Sequence, residues 1–415
     1  MRIDGKKRVE CIACNSGNLY KVFDLGVVPS ANNLVKKASI KLVKSYPLNY
    51  YWCKECGLLQ QVKLVDSKKL FRKYYVYITG ASKNTVNLFR KEAELLKRSI
   101  KNKDLAYVIA SNDGTEIKLI KNIAGFKEVI GIEPAINIAK YANKLGLKTV
   151  NDFFTWDLSN KLLKKYGKAD LIVANNVFAH IPYPRDMLNG MKNLLKEDGV
   201  IEIEVHWLKS LVESLQIDIL YAEHYYEWSI KAMVSIAHIC GLELVSAESL
   251  PTQQGGSIRF WLKLSGKQVG LNELISKERE IGVYNQDIML NLQNLAEGRK
   301  IHLISIINDI KKQNKTIGIW SVPAKIVTIL NFCGLTNRDI DCAFDIAKTK
   351  INRYIPKANI LIKDKKVALK NVSKLPDYLI IVAWNYIDEN KKELKEYLRR
   401  GGKLINPLSY EIISK

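Results

Sequence analysis

The stretch Leu105-Ala-Tyr-Val-Ile-Ala-Ser-Asn-Asp-Gly114, followed by Glu128-Val-Ile-Gly-Ile-Glu133, decides the fold of this chain. The apolar run 105–110 predicts a buried strand, and a helix-like segment over 115–123 follows the Ser-Asn-Asp-Gly turn. A second predicted strand, 128–132, ends in an acid. This order of strand, turn, helix, strand and acid is the nucleoside-binding pattern of open α/β sheets, in which the acid accepts hydrogen bonds from ribose hydroxyls.

The turn carries one glycine, Gly114, where dinucleotide-binding turns have Gly-x-Gly-x-x-Gly. This difference favours S-adenosylmethionine over NAD, because S-adenosylmethionine has no pyrophosphate for the turn to cradle. A third strand of this region is predicted over 170–174. Further polar residues lie near these strand ends, and open sheets bind ligands at strand ends. The alternative is that these acids are ordinary loop residues. The predicted cofactor-binding residues are Ser111, Asn112, Asp113, Gly114, Glu133, Asp152, Phe153 and Asn175.

Two Cys-x-x-Cys pairs precede this region. They are Cys11 with Cys14 and Cys53 with Cys56, and Gly57 after the second pair suits a tight turn. Four cysteine ligands are typical of a closed, structural zinc site, and the two-residue gap lets both thiolates of a pair reach one ion. The alternatives are two redox dithiols or a buried thiol cluster. Redox pairs usually open a helix after a strand, whereas an apolar stretch follows Cys56.

Composition limits the remaining possibilities. A chain of 415 residues is too long for one hydrophobic core and should form about three domains. We expect a cytoplasmic protein, because the N-terminus lacks the apolar core of a secretion signal and no apolar run could span a membrane. The formal charge of +23 is scattered along the chain. This pattern indicates a solvated surface, although a basic face for a diphosphate stays open.

A second cluster of polar residues has the composition of an acid–base site. Tyr221, Glu223 and His224 combine a phenol, a carboxylate and an imidazole within four residues. His180 follows a predicted strand at the ligand-binding edge, so we take it with His224 as a functional candidate. The remaining histidines have apolar neighbours or helical spacing and are interpreted as structural: His206, His238 and His302.

The C-terminal quarter repeats the rhythm of strand, turn and helix. After a long helical stretch over about 271–314, the run 316–320 is strand-like, and a helix is predicted over 326–333. Further strands are predicted over 339–344 and 376–385. The sequence therefore predicts a second doubly wound unit, without a cofactor-binding acid after its second strand.

Short strings in a fixed order extend over the whole chain: Cys11-x-x-Cys14, Pro29-Ser-Ala-Asn32, Cys53-x-x-Cys56-Gly-Leu-Leu-Gln60, Ser111-Asn-Asp-Gly114, Gly131-Ile-Glu-Pro134, Ala179-His180, Tyr221-x-Glu-His224, Gly255-Gly-Ser-Ile-Arg259 and Ala383-Trp-Asn385. Together they resemble the sugar C-methyltransferases of deoxysugar biosynthesis. The resemblance implies an α/β protein with a zinc-binding domain (1–80), a class I methyltransferase domain (81–265), a helical connector (266–314) and a Rossmann-like domain (315–415).

The resemblance also implies a reaction and its residues. The substrate would be a nucleotide-linked 4-keto-6-deoxy sugar, methylated on carbon through an enolate. His224 would be the base, with Glu223 orienting it or contacting sugar hydroxyls. Donors around the enolate oxygen would be Tyr221, His180 and a tyrosine of the pair Tyr75 and Tyr77. Substrate-binding candidates are Ser257, Arg259, Lys325, Lys350, Arg353 and Tyr354.

Several positions depart from the family pattern. Ala110, Ser321 and Ile326 stand where glycines are usual, and Ala222 and Gln254 each replace a histidine. Two other classes stay open. The cysteine pairs and the positive charge also suit a zinc-containing nucleic-acid methyltransferase, and the lost glycines permit a non-catalytic sugar-nucleotide-binding homologue. We expect neither a nucleic-acid nor a membrane partner, and the sequence does not indicate the oligomeric state. It also does not indicate the nucleotide base or the sugar's stereochemistry.

Overall fold

The computed structural model describes residues 10–36, 43–72, 75 and 77–414, which form three β-sheets with helices packed around them. The strands are β1 Leu19–Pro29, β2 Ser45–Cys53, β3 Leu59–Gln61, β4 Leu105–Ile109, β5 Glu128–Ile132, β6 Thr149–Val150, β7 Ala169–Asn175, β8 Leu195–His206, β9 Tyr226–Glu227, β10 Glu243–Leu250, β11 Ser257–Lys263, β12 Ile317–Trp320, β13 Cys342–Asp345, β14 Tyr354–Ile355, β15 Ile360–Asp364, β16 Tyr378–Ile381, β17 Lys403–Ile405 and β18 Ile412–Ile413.

The α-helices are α1 Ser67–Phe71, α2 Lys83–Ser99, α3 Thr115–Leu119, α4 Ile136–Lys144, α5 Trp156–Tyr166, α6 Pro184–Leu194, α7 Leu208–Ser214, α8 Ile230–Ile239, α9 Leu271–Ile281, α10 Gln286–Lys312, α11 Lys325–Cys333, α12 Lys365–Leu369, α13 Ile387–Glu393 and α14 Lys395–Arg399. Single turns add Thr79–Ala81, Ile120–Ala124, Phe178–His180, Ile217–Ile219, Val372–Lys374 and Trp384–Tyr386. In the part of the chain described, no helix has both the length and the apolar character that a membrane span requires.

The central sheet has the order β10-β11-β8-β7-β4-β5-β6. Its strands from β8 to β6 run parallel, and β11 and β10 continue the sheet in antiparallel fashion. The chain proceeds outward from β4 in one direction and then returns to β7 on the other side. Ligands of open sheets bind at such a switch point, so the ends of β4 and β7 mark the expected cleft.

The third sheet, β14-β15-β13-β12-β16-β17-β18, has a second switch point between β12 and β16. Its central strands are parallel, which confirms the prediction of a second doubly wound unit. The strands predicted over 105–110, 128–132 and 170–174 are β4, β5 and β7, each within one residue of its predicted bounds.

The helical stretch predicted over 271–314 is two helices. Gly282 ends α9 in the left-handed conformation, with φ of +91°, and the Asn285 side chain accepts a hydrogen bond from the Ile288 amide at 3.1 Å to begin α10. The interruption lets α10 pack on both β1 and α11. One apolar core therefore extends from the first sheet through α10 to the third sheet.

The first sheet is antiparallel and takes one strand from a distant part of the chain. Its order is β1-β2-β3-β9. The last of these, β9, lies within the range that the sequence assigned to the central domain, yet it pairs with β3 through Leu59 opposite Glu227 and Gln60 opposite Tyr226. The N-terminal module therefore shares a sheet with the segment that carries Tyr221, Glu223 and His224.

The four cysteines converge beside this sheet. The sulfur atoms of Cys11 and Cys56 are 3.5 Å apart, those of Cys14 and Cys53 are 3.6 Å apart, and all four lie within 4.8 Å of one another. Tetrahedral Zn–S bonds of about 2.3 Å require sulfur separations of about 3.8 Å, so the cluster fits zinc. The turn that closes it needs Gly57, whose φ is +78° and which leaves no room for a Cβ against the Tyr284 ring.

We predict that the purified protein contains about one zinc ion per chain, as expected for a four-thiolate site. Cys11→Ser should remove most of this zinc and lower the melting temperature, because metal binding and folding of a small module are coupled. Elemental analysis and thermal unfolding measure both effects, with Cys240→Ser, outside the cluster, as the control. Fresh protein without zinc would contradict the assignment.

Candidate active site

The predicted acid–base residues meet between the first and central sheets. His180 lies in the turn after β7, and Tyr221, Glu223 and His224 lie in the loop before β9. Tyr221, Glu223 and His224 are buried, and His180 is partly buried. The rings of His180 and His224 meet edge to face at 4.5 Å between centroids, and those of Tyr221 and His224 are 4.1 Å apart. Both histidines singled out in the sequence thus lie in one cluster.

His224 is held at both ring nitrogens. Its Nε2 lies 2.6 Å from the Tyr221 hydroxyl oxygen, and its Nδ1 lies 3.2 Å from Oε1 of Glu227. Burial raises the pKa of the Tyr221 phenol well above its usual value, and the negative charges nearby add to this. Tyr221 therefore stays protonated and can donate to an oxygen or to Nε2.

Glu223 does not orient His224, in contrast to one of its two expected roles. Its carboxylate accepts hydrogen bonds from the Ser30 hydroxyl, from the Ala31 amide at 3.2 Å and from the Asn32 amide at 3.3 Å. Burial raises the pKa of Glu223, and these three donors oppose that shift. The string Pro29-Ser-Ala-Asn32 therefore supplies the donors that hold the end of the first sheet against the loop that carries His224.

His180 also differs from the expectation. Its Nδ1 lies 2.7 Å from the Glu223 carbonyl oxygen, which can only accept, so Nδ1 carries the proton. Burial and the neighbouring His224 lower the pKa of His180 to about 3. The ring is therefore neutral and presents Nε2 as an acceptor, so His180 is unsuited to donate a hydrogen bond to an enolate oxygen.

The residues that orient His224 were missed in the sequence. Glu227 lies three positions after His224, and its second carboxylate oxygen is 2.9 Å from Nδ1 of His206. His206, interpreted as structural from its apolar neighbours, is fully buried in this chain of contacts. A signal was available, since Glu202, Glu204 and His206 alternate with apolar residues along one strand and place polar groups on a single face.

The predicted cofactor loop lies at the end of β4 in unusual backbone conformations. Ala110, Asn112 and Gly114 have φ values of +56°, +48° and +80°. The left-handed conformation at Ala110 costs about 1–2 kcal/mol, because alanine has a Cβ. This cost explains why a glycine is usual at that position. Glu133, at the end of β5, accepts hydrogen bonds from the Asn112 amide at 3.0 Å and the Ala135 amide at 2.7 Å. Burial raises the pKa of Glu133 to about 7.

Two side chains of this loop hold the segment that carries the tyrosine pair. Asn112 Oδ1 accepts from the Thr79 amide at 2.9 Å, and Asp113 Oδ2 accepts from the Gly80 amide at 3.0 Å. Tyr75 is fixed through its backbone, which exchanges two hydrogen bonds of 3.0 Å with the Asn137 side chain. Neither tyrosine lies in a strand.

Tyr75 lies closer to the histidines than Tyr77 does. Its ring packs edge-on against Phe71 at 5.6 Å, and Phe71 packs in the same way on His180 at 5.7 Å. Tyr77 is 43% exposed. Of the pair, Tyr75 is therefore the better candidate for the catalytic cluster.

The other predicted cofactor residues differ in environment. Asp152 is half exposed, with Oδ1 3.8 Å from the Arg72 guanidinium, and Phe153 is partly buried beside it. Asn175 is a correction, because its Nδ2 donates to the buried carboxylates of Glu92 and Glu116 at 2.7 Å each. Its amide group belongs to an internal network and is not presented to a cofactor.

Arg259 and Ser257 are also corrections. Arg259 is 3% exposed, and its guanidinium forms ion pairs with Glu202, with Glu204 at 3.1 Å and with Glu248 at 3.2 Å. These carboxylates neutralise a charge that would otherwise be costly to bury. Ser257 is fully buried and donates to the Gln253 carbonyl at 3.3 Å. Both residues stabilise the protein interior and do not reach a substrate.

The four C-terminal candidates separate into two pairs. Arg353 donates to the Leu34 carbonyl at 3.3 Å, and the Tyr354 backbone pairs with Val35. These two residues therefore bind the N-terminal module. The other pair is Lys325 and Lys350, which lie on the loop side of β12 and β13.

Both lysines have protein partners at this edge of the third sheet. The Lys325 ammonium lies 3.6 Å from Asp218 and 4.7 Å from the centre of the Trp384 ring. The Lys350 ammonium lies 3.1 Å from Asp345 and donates to the Val322 carbonyl at 2.8 Å. Two lysines, each paired with a carboxylate, thus lie at the switch point of the third sheet, where a ligand is expected.

Comparison with known proteins gives matches over three successive parts of the chain. Family models match residues 11–71 as a "zinc binding domain", residues 109–247 as a "Methyltransferase domain" and residues 252–409 as a "C-methyltransferase C-terminal domain". The C-methyltransferase NovU of Streptomyces niveus is 26% identical to this chain over 405 residues, which cover 96% of this chain and 95% of that protein.

Solved structures resemble the chain in part. An S-adenosylmethionine-dependent methyltransferase from Clostridium acetobutylicum is 13% identical, with a TM-score of 0.34, and the match covers 45% of this chain and 93% of that one. The CcbJ methyltransferase of Streptomyces caelestis is 11% identical, with a TM-score of 0.34, over 43% of this chain and 90% of that one.

The cysteine cluster fits zinc, the loop at the end of β4 is followed by a buried acid at the end of β5, and three family matches follow one another in the order of the three sheets. Together with the relative that matches over nearly the full length of both chains, these observations identify the chain as an S-adenosylmethionine-dependent C-methyltransferase with a structural zinc site.

Proposed function

We propose that the protein methylates carbon C3 of a nucleotide-linked 4-keto-6-deoxy sugar through an enolate intermediate. The observation that carries this proposal is the buried pair of Tyr221 and His224, whose hydroxyl and Nε2 are 2.6 Å apart. A ketone α-carbon needs both a base for its proton and a donor for its oxygen. The pair supplies these two groups side by side.

His224 acts as the base. Its Nδ1 faces Glu227, so its Nε2 is the nitrogen that can accept a proton from C3. The electron pair of the C3–H bond then forms a double bond between C3 and C4, and the carbonyl pair moves to oxygen. The imidazolium that results keeps the hydrogen bond from its Nδ1 to the fully buried Glu227 carboxylate.

Tyr221 and Tyr75 act on the enolate oxygen. When a ketone occupies the cleft, the Tyr221 hydroxyl turns from His224 Nε2 to the substrate oxygen, which leaves Nε2 unoccupied for the proton. Burial raises the pKa of both phenols, so each remains a donor. Neutral His180, with Nε2 as an acceptor, is suited to a sugar hydroxyl.

The candidate cofactor residues lie at the ends of β4, β5 and β6. Bound S-adenosylmethionine would supply an electrophilic methyl group. Glu133 would accept hydrogen bonds from the ribose hydroxyls, and the Asn112 and Ala135 amides hold its carboxylate in place. Asp152 and Phe153, at the end of β6, are suited to the adenine. Lys325 and Lys350 attract the diphosphate of the sugar nucleotide from the third sheet.

We predict that Glu133→Gln weakens S-adenosylmethionine binding by about 1.5–3 kcal/mol, the usual range for a hydrogen bond to a charged group. Isothermal titration calorimetry measures the change. Glu128→Gln, at the partly buried start of the same strand, serves as the matched control and should bind normally. Equal affinity of Glu133→Gln and the wild type would place the ribose elsewhere.

His224→Ala should lower the methylation rate about 10²–10⁴-fold, the usual contribution of a general base. Affinity for S-adenosylmethionine should stay nearly constant, because the base faces the sugar. Exchange of the substrate's α-hydrogen with deuterated solvent, without methyl donor, reports deprotonation alone. The exposed His238→Ala is the control. Exchange at the full wild-type rate in His224→Ala would assign the base to another residue.

A further inference from the structure

A continuous chain of hydrogen bonds leads inward from the catalytic pair. From His224 Nδ1 it reaches Glu227, then His206 Nδ1 at 2.9 Å, and from His206 Nε2 it reaches Gln216 Oε1 at 2.8 Å. It ends where Gln216 Nε2 donates to the Gly255 carbonyl at 2.8 Å. Both histidines and Glu227 are buried, with His206 and Glu227 side chains fully inaccessible to solvent.

The fold brings these distant residues together. His206 ends β8 and Glu227 ends β9, and a bridge between Trp207 and Trp228 holds the two strand ends side by side. Gln216 follows α7, and its backbone amide donates to the Leu211 carbonyl at 3.0 Å. The arrangement is thus fixed by backbone pairing as well as by its own hydrogen bonds.

The far end of the hydrogen-bond chain, at the Gly255 carbonyl, determines which atoms carry protons. The Gly255 carbonyl can only accept, so Gln216 must turn its NH₂ group towards it and its Oε1 towards His206. Oε1 can also only accept. The proton of the hydrogen bond at 2.8 Å must therefore be on His206 Nε2.

The contact with Glu227, nearer to His224, indicates a second proton on His206. Burial alone would raise the pKa of Glu227, but the hydrogen bond and charge of His206, together with the hydrogen bond from His224, outweigh burial and lower that pKa. Glu227 is therefore a carboxylate, which can only accept, so His206 Nδ1 is protonated as well. With protons on both nitrogens, His206 is an imidazolium whose charge balances that of Glu227.

His224 has one ring nitrogen on each side of this contact. Its Nδ1 donates to the Glu227 carboxylate, and its Nε2 lies 2.6 Å from the Tyr221 hydroxyl, which stays protonated and can donate to it. Two further titratable groups contact His224 itself: His180, edge-on to its ring, and Tyr50, whose hydroxyl donates to its backbone carbonyl. Burial keeps His180 neutral and Tyr50 protonated, so neither adds a charge.

We propose that Glu227, His206 and Gln216 are positioning residues that keep His224 neutral, with its proton on Nδ1 and its Nε2 directed at the substrate. A single buried carboxylate beside His224 would favour a second proton on that ring and occupy the base before substrate arrives. The His206 cation offsets this attraction. This inference rests on the proposed function for its catalytic meaning, but the protonation states stand independently of the substrate.

Nitrogen-15 NMR of histidine-labelled protein at about pH 8 tests the protonation states directly. His206 should show two protonated ring nitrogens, and His224 should show a protonated Nδ1 with an unprotonated Nε2. The exposed His238 and His302 provide reference signals from ring nitrogens outside this cluster. A neutral His206 in the wild type would overturn the proposal.

Glu227→Gln tests the catalytic consequence. The His206 imidazolium signal should disappear, and kcat should fall roughly 10²-fold or more with little change in KM, as when a triad loses its orienting carboxylate. Glu227→Asp should recover part of kcat. Glu213→Gln, a half-exposed carboxylate on α7, is the control. An unchanged kcat in folded Glu227→Gln would overturn the positioning role. If the wild-type protein does not exchange the substrate's α-hydrogen with solvent, the proposed function is contradicted, whereas the NMR result on the protonation states still holds.

Discussion

The buried carboxylate of Glu223 is the contact on which the site depends. It accepts three hydrogen bonds from Ser30, Ala31 and Asn32, on a segment more than 190 residues away in the chain. A buried carboxylate deprived of its donors costs several kcal/mol, so this contact strongly favours one placement of the N-terminal module against the central sheet.

The N-terminal module also holds the backbone of the loop that carries Tyr221 and His224. Gln61 donates to the carbonyls of Tyr221 at 3.1 Å and His224 at 2.6 Å, and the Tyr50 hydroxyl donates to the His224 carbonyl. The cysteine cluster holds the ends of β2 and β3, from which Tyr50 and Gln61 extend. Zinc therefore acts at a distance from the chemistry, by fixing the sheet that positions the Tyr221 and His224 backbone.

Local patterns in the sequence were sufficient for the fold and for part of the site. Cysteine spacing predicted the cluster, and apolar runs with their turns predicted β4, β5 and β7, because each signal lies within a few residues. The assignment of Arg259 failed, because its carboxylate partners lie on other strands and helices. The link between Glu227 and His206 was missed for a similar reason, since it depends on the pairing of strand ends 21 residues apart.

The central claim is carbon methylation of a keto sugar by the Tyr221 and His224 pair. The most direct measurement incubates the zinc-loaded protein with S-adenosylmethionine and a panel of 4-keto-6-deoxy nucleotide sugars, followed by mass spectrometry and NMR of the products. The account predicts one added methyl group on the carbon next to the ketone, with loss of that carbon's hydrogen signal. A methyl group on oxygen, or no methylated sugar from protein that binds S-adenosylmethionine, would contradict it.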